Sequence, residues 1–167
     1  MAVVTAAIAA GRQGELAQRI RDRSLTAPEI TPRPLRELRR ALRAGRLVVA
    51  EEGEELLGWF LSEPCGRGVH ELGYLFVEPG ARGEGVLHEL LLTGFALDEV
   101  AVAVTFRADF AALLQRKYGF RRSSLGGVVA ASRGWFLWRR LAPRRLVTAL
   151  RRTSSGEAHY LIREAAA

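Results

Sequence analysis

Residues 71–87 read ELGYLFVEPGARGEGVL, and this stretch decides the fold. Its first half belongs to an apolar, aromatic and β-branched run, Val69 to Val77, that predicts a strand. Pro79-Gly80 ends the strand. A helix is predicted to begin near Glu84 and run to about Leu97, with Leu87, Leu90, Leu91 and Phe95 on its apolar face. A strand that passes through a glycine-rich turn directly into a helix builds an anion site. Glycine lets the backbone turn without a Cβ clash. The N–H groups of the helix's first turn then point at the ligand, and the helix dipole adds a favourable field. Diphosphate suits such a cradle. The dinucleotide fingerprint G-x-G-x-x-G does not fit, because Gly83-Glu84-Gly85-Val86-Leu87-His88 ends in histidine. A Walker loop does not fit either, since no Gly-Lys pair followed by Ser or Thr occurs.

Upstream, Val3 to Ala9 predicts a first strand, broken by Gly11. Leu16, Ala17 and Ile20 have helical spacing and predict a helix over Arg12 to Arg23. Thr31 before Pro32 reads as the start of a second helix, with Leu35, Leu38 and Leu42 as its buried stripe. Gly45 stands where a left-handed helix end is wanted. Leu47 to Glu51 and Leu56 to Ser62 form a predicted hairpin about Glu52-Gly53-Glu54. Downstream, Val100 to Phe106 is a strand. Asp109 is a cap for a helix with core positions Phe110, Leu113 and Leu114. Gly127 to Trp138 reads as a strand interrupted at Ser132 to Gly134, Pro143 to Arg152 as a short basic helix, and His159 to Arg163 as a last strand.

The chain has 167 residues, enough for one domain over 1–167 with a proper core. An apolar share of 49% and a mean hydropathy of +0.03 describe an ordinary globular composition. No apolar stretch long enough to span a bilayer occurs, and Met1 to Ala10 lacks a basic leader, so neither a membrane partner nor a signal peptide is expected. With one cysteine, Cys65, no internal disulfide is expected, and a cytoplasmic location follows. His70, His88 and His159 lack metal-ligand spacing, so no metal is expected. The net charge of +7 is carried almost wholly by arginine and reads as a dispersed, solubilising charge. The arginine-rich second helix and the Trp-Arg tail offer a nucleic-acid reading, ranked behind the others because no known nucleic-acid motif accompanies them. Trp135, Phe136 and Trp138 are read first as core residues of a late strand.

The segment Arg82-Gly83-Glu84-Gly85-Val86-Leu87, after a strand carrying Glu71 and a V-x-P, resembles motif A of the GNAT acetyltransferases, Q/R-x-x-G-x-G/A. Ala111-Ala-Leu-Leu-Gln-Arg-Lys-Tyr-Gly-Phe120 resembles the family's downstream A-x-x-L-Y-x-x-x-G-F stretch, and the order of elements also matches. The resemblance implies an α/β (α+β) fold: a mixed, mostly antiparallel central sheet flanked by helices, with a splayed strand pair at the coenzyme A site. It implies acetyl-CoA or another acyl-CoA as co-substrate, and an amine-bearing small molecule or a protein or peptide as acceptor. Homodimerisation is left open. Phe76 and Val77 fall where family backbone groups meet the pantetheine arm. Arg82, Gly83, Glu84, Gly85, Val86 and Leu87 fall where N–H groups bind the diphosphate. Glu71 matches a general base, needed because only a neutral amine attacks a thioester. Desolvation on an apolar strand is expected to raise its pKa. Three positions depart from the pattern. Leu87 replaces a small residue, Gln115 the tyrosine that protonates the departing thiolate, and Ala108 a frequent asparagine. Loss of the acid leaves a second reading, a protein that binds acyl-CoA or a partner without turnover.

Overall fold

The computed structural model describes residues 2–28, 30–66, 68–83, 85–96, 100–140 and 157–164. Chain contacts divide it into two compact units, Met1–Ser62 with Gly73–Leu97, and Glu63–Leu72 with Asp98–Ala167.

In the first unit, the period-two alternation of strand side chains dictates two buried layers. Strand β2 (Leu47–Glu52) pairs antiparallel with β3 (Glu55–Pro64), setting Leu47 opposite Leu61, Val49 opposite Trp59 and Val48 opposite Phe60. Leu47, Val49, Trp59 and Leu61 join the core formed with Leu16, Ala17 and Ile20 of α1 (Gln13–Thr26) and Leu38 and Leu42 of α2 (Leu35–Arg43). The other face carries Phe60, whose ring meets Phe95 of α3 (Val86–Phe95) edge-on at 6.1 Å. Gly94 brings α3 close: a methyl there would overlap the Phe60 ring. Strand β1 is shorter than predicted, Val3–Thr5, and pairs antiparallel with β2. Glu51, buried on β2, is held by Arg12 at 3.0 Å and Arg19 at 3.1 Å, the pairing that a buried carboxylate requires.

The second helix begins at Leu35, not at Pro32. Pro34 has an extended conformation (φ −59°, ψ 139°) and lies at the cap without a side-chain hydrogen bond. A residue before proline is disfavoured in the helical region, so Arg33 is a poor place to begin a helix. Gly45 is left-handed as expected, at φ 62°.

Strand β4 (Val69–Val77) matches its prediction and runs through both units. Glu78 N–H donates to Leu57 O at 2.8 Å in the first unit, and Cys65 N–H to Val69 O at 2.7 Å in the second, as an antiparallel β3–β4 hairpin requires. In the second unit β4 pairs parallel with β5 (Val100–Thr105), from Val69 opposite Val100 to Leu72 opposite Ala103. Strand β7 (His159–Glu164) is antiparallel to β5 and to the short β6 (Arg121–Ser123), which the sequence reading missed. Among the described residues the strand order is β1-β2-β3-β4-β5-β7-β6, a mostly antiparallel sheet with one parallel pair.

Helix α4 (Ala108–Tyr118) buries Ala111, Leu114 and Tyr118; Phe110 and Leu113, predicted as core, are only half-buried. Asp109 does not cap the helix. It lies in the first turn and takes two hydrogen bonds from Arg107, whose guanidinium holds the Asp109 carboxyl below its ordinary range. The strand predicted over Gly127 to Trp138 is instead two short helices, α5 (Leu125–Ala131) and α6 (Trp135–Arg140). The reason is local: the Ser124 hydroxyl accepts from Gly127 N–H at 3.1 Å and so caps α5. Val128 and Phe136 pack with Cys65, Val69 and Val102. The basic helix predicted over Pro143 to Arg152 lies outside the described residues.

Candidate functional site

The turn after β4 is built from a 3-10 turn, Pro79–Ala81, closed by Ala81 N–H donating to Glu78 O at 3.0 Å. Gly83 (φ 111°) and Gly85 (φ 81°) then take conformations that side chains disfavour, and Gly85 is the residue before α3. A Cβ built on Gly80, Gly83 or Gly85 meets nothing within 4 Å. The outer surface of the turn is therefore open, and α3 starts behind it with first-turn N–H groups that no helical carbonyl can reach. Open space before a helix N-terminus is the general form of an anion site. Val86 is buried and Leu87 half-buried. Glu84 lies outside the described residues.

Arg82 folds back on the strand, donating from Nε to Val77 O at 3.2 Å. The Val77 carbonyl is thus engaged within its own turn. The Phe76 ring is stacked on Trp59 at 4.7 Å, and the Arg23 guanidinium lies 4.7 Å from its centroid. Arg23 also binds both carboxylate oxygens of Glu78. Gly58 faces the Phe76 carbonyl so closely that a Cβ would lie 2.5 Å from that oxygen. Phe76, Val77, Arg82, Gly83, Gly85, Val86 and Leu87 thus all belong to the first unit.

Sequence reasoning missed Tyr74. It sits within β4 at φ 52°, an uncommon conformation for a non-glycine residue and one that bends a strand. Its ring is 5.7 Å from Trp59, with the Arg33 guanidinium at 5.3 Å. Burial pushes the Tyr74 hydroxyl above its ordinary pKa, opposed by the Ser24 hydroxyl and by the Arg33 backbone and charge. Ser24 and Arg33 lie near that hydroxyl without forming a hydrogen bond of good geometry with it. The strand from Val69 to Val77 was legible, but no local signal marks the positive φ at Tyr74.

Glu71 lies in the second unit, half-buried on β4 and in register with Val102. Cys65 is fully buried in the apolar cluster, a packing role. On α4, Gln115 is exposed and donates from Nε2 to Ala111 O at 3.2 Å, while Tyr118 is buried and packs. Among the described residues no group of three or more His, Cys, Asp or Glu side chains could hold a metal ion. None of the described helices is long and apolar enough to cross a membrane.

A Gly85→Ala substitution isolates the turn. With open space around the Cβ, its cost is conformational, about 1 kcal/mol or a fall of roughly 2–4 °C in Tm. If the turn holds a diphosphate, coenzyme A affinity falls by about ten-fold, some 1.4 kcal/mol, in a calorimetric titration.

Comparison with solved structures places this arrangement of strands and helices among acetyltransferase folds. Rv2747 of Mycobacterium tuberculosis, solved with CoA, superposes with a TM-score of 0.68 at 16% identity, covering 98% of this chain and 99% of that one. N-acetylglutamate synthase of Neisseria gonorrhoeae, with coenzyme A and N-acetyl-glutamate, gives 0.62 at 16% identity, covering all of this chain and 36% of that one. Arabidopsis thaliana Naa50, with a bisubstrate analogue, gives 0.59 at 12% identity over 98% of both chains. At these identities the likeness shows the fold. No curated protein sequence matches the chain. The acetyltransferase (GNAT) family model matches residues 16–120, and the chain belongs to that family.

Proposed function

We propose that this protein transfers an acetyl or other short acyl group from acyl-CoA to a primary amine, by direct attack in a ternary complex. The observation that carries the reading is the open glycine turn feeding α3, in a chain of the GNAT family. Backbone N–H groups from Gly83 to Leu87 take the diphosphate, with Arg82 bracing the turn through Val77. The backbone at Phe76 meets the pantetheine arm. The amine nitrogen attacks the thioester carbonyl, a C–N bond forms, and the C–S bond breaks. Glu71 accepts the amine proton, directly or through water. The departing thiolate takes its proton from water or from a side chain other than Gln115, since an amide is not an acid at neutral pH.

Fold neighbours bound to CoA, one with N-acetyl-glutamate and one with a peptide-bearing bisubstrate analogue, support an acyl-CoA co-substrate and an amine acceptor, small or peptide. A thiol-release assay with acetyl-CoA and a panel of amines and peptide N-termini tests it. Release that depends on the amine is the expected result. Gln115, bonded back to its own helix, favours a second reading in which the protein binds acyl-CoA without turnover. That reading predicts a rise in Tm with acetyl-CoA and no amine-dependent release.

A further inference from the structure

Charge in this chain is segregated rather than dispersed. Residues 110–156 hold eleven arginines and lysines and no aspartate or glutamate, whereas the rest of the chain carries more acidic than basic residues. Within that basic tract lies α6. Phe136 is 1% exposed, and its N–H donates at 3.2 Å to the hydroxyl of Ser132, itself buried. Ser132 donates in turn to Val129 O at 3.2 Å, and its carbonyl accepts from Trp135 N–H at 3.1 Å. The α5–α6 corner is thereby fastened from inside.

With Phe136 turned inward, helical geometry turns positions 135 and 138 outward together. Trp135 is 55% exposed, Leu137 42% and Trp138 72%, with exposed Arg133 at the corner. Arg139 and Arg140 follow in sequence. Two exposed indoles on one short helix are not what the sequence reading expected, which had placed Trp135 and Trp138 in the core. Indole is amphipathic: its ring favours the acyl boundary while its N–H stays among headgroups. Arginines supply attraction to anionic lipid over a Debye length.

We propose that the outer face of α6, formed by Trp135, Leu137 and Trp138, docks this protein on the surface of an anionic phospholipid bilayer. Such contact needs no spanning helix, so it revises the expectation of no membrane partner without requiring an apolar stretch long enough to cross. Nucleic acid would satisfy the charge and could stack on indole. It offers nothing, however, to the exposed Leu137. An interfacial lipid site uses both kinds of residue.

The full chain is sedimented with vesicles of phosphatidylcholine alone and of phosphatidylcholine with about a quarter phosphatidylglycerol, at about 0.15 M salt. Binding to the anionic vesicles, and quenching of tryptophan emission by brominated lipid, is expected. Trp135→Ser with Trp138→Ser is expected to lower that binding about ten-fold or more while leaving Tm and the response to acetyl-CoA unchanged. Three results overturn the proposal. The first is no preference for anionic vesicles, and the second is undiminished binding by the double variant. The third is a tryptophan-dependent complex with an RNA oligonucleotide or a second copy of the chain, with vesicles unbound.

Discussion

On the proposed reaction, a Glu71→Gln variant is expected to turn over about 10²–10³-fold more slowly than the parent, with the KM for acyl-CoA nearly unchanged. The amide keeps the size of the carboxylate but cannot accept the amine's proton. If the base acts only on the reacting amine, its loss is a loss in kcat. A rise in KM for acyl-CoA with kcat intact would instead assign Glu71 to binding. Equal rates in parent and variant would remove the base role altogether. The change in Tm produced by acetyl-CoA serves as control for cofactor binding. A Glu71→Asp variant is expected to recover part of the rate, which a merely packed carboxylate has no reason to show.

Gly94→Ala is expected to destabilise the first unit, against the usual sign of that exchange. In an open helix the substitution is favourable by about 0.5–1 kcal/mol. Here the added methyl would overlap the Phe60 ring, which is buried between β3 and α3 and faces Phe95 at 6.1 Å. The ring is 1% exposed, so it cannot swing aside into solvent. Overpacking of this kind costs about 1–3 kcal/mol or more, so the net effect is a fall in Tm of several degrees. Combining Gly94→Ala with Phe60→Leu is expected to recover part of the loss. An alanine variant as stable as the parent would mean that the helix can lift from the sheet at no cost.

Both substitutions touch features of different legibility. The strand around Glu71 was readable because an apolar run ending at Pro79-Gly80 has few alternatives, and β4 occupies Val69–Val77 as predicted. Gly94 carried no signal. Its need for a bare Cα comes from Phe60, 34 positions earlier in the chain, and only packing joins the two. Tyr74 is similar: nothing in Leu72-Gly73-Tyr74-Leu75 announces a φ of 52°. The α2 start was misread by weighing Thr31-Pro32 above Pro34, although the restriction on a residue before proline was present in the sequence. The error at 127–138 had another source. Val, Phe and Trp there suit a strand, but the Ser124 cap and the inward anchor at Phe136 made two short helices the better burial.

By itself, the sequence determined the family and the order of elements as far as α4, because a glycine-rich turn between strand and helix is a local constraint that few backbones satisfy. The positive φ at Gly83 and Gly85 is the structural form of that constraint. The tertiary structure alone decided the burial of the late segment and the contacts around the turn. It buried Phe136 and left Trp135 and Trp138 outside, turned Arg82 onto the Val77 carbonyl, and set Arg23 over the Phe76 ring. The physical reason is that turn chemistry acts between neighbours in the chain. Burial is settled by surfaces that meet only after folding, and those surfaces come from residues far apart in sequence.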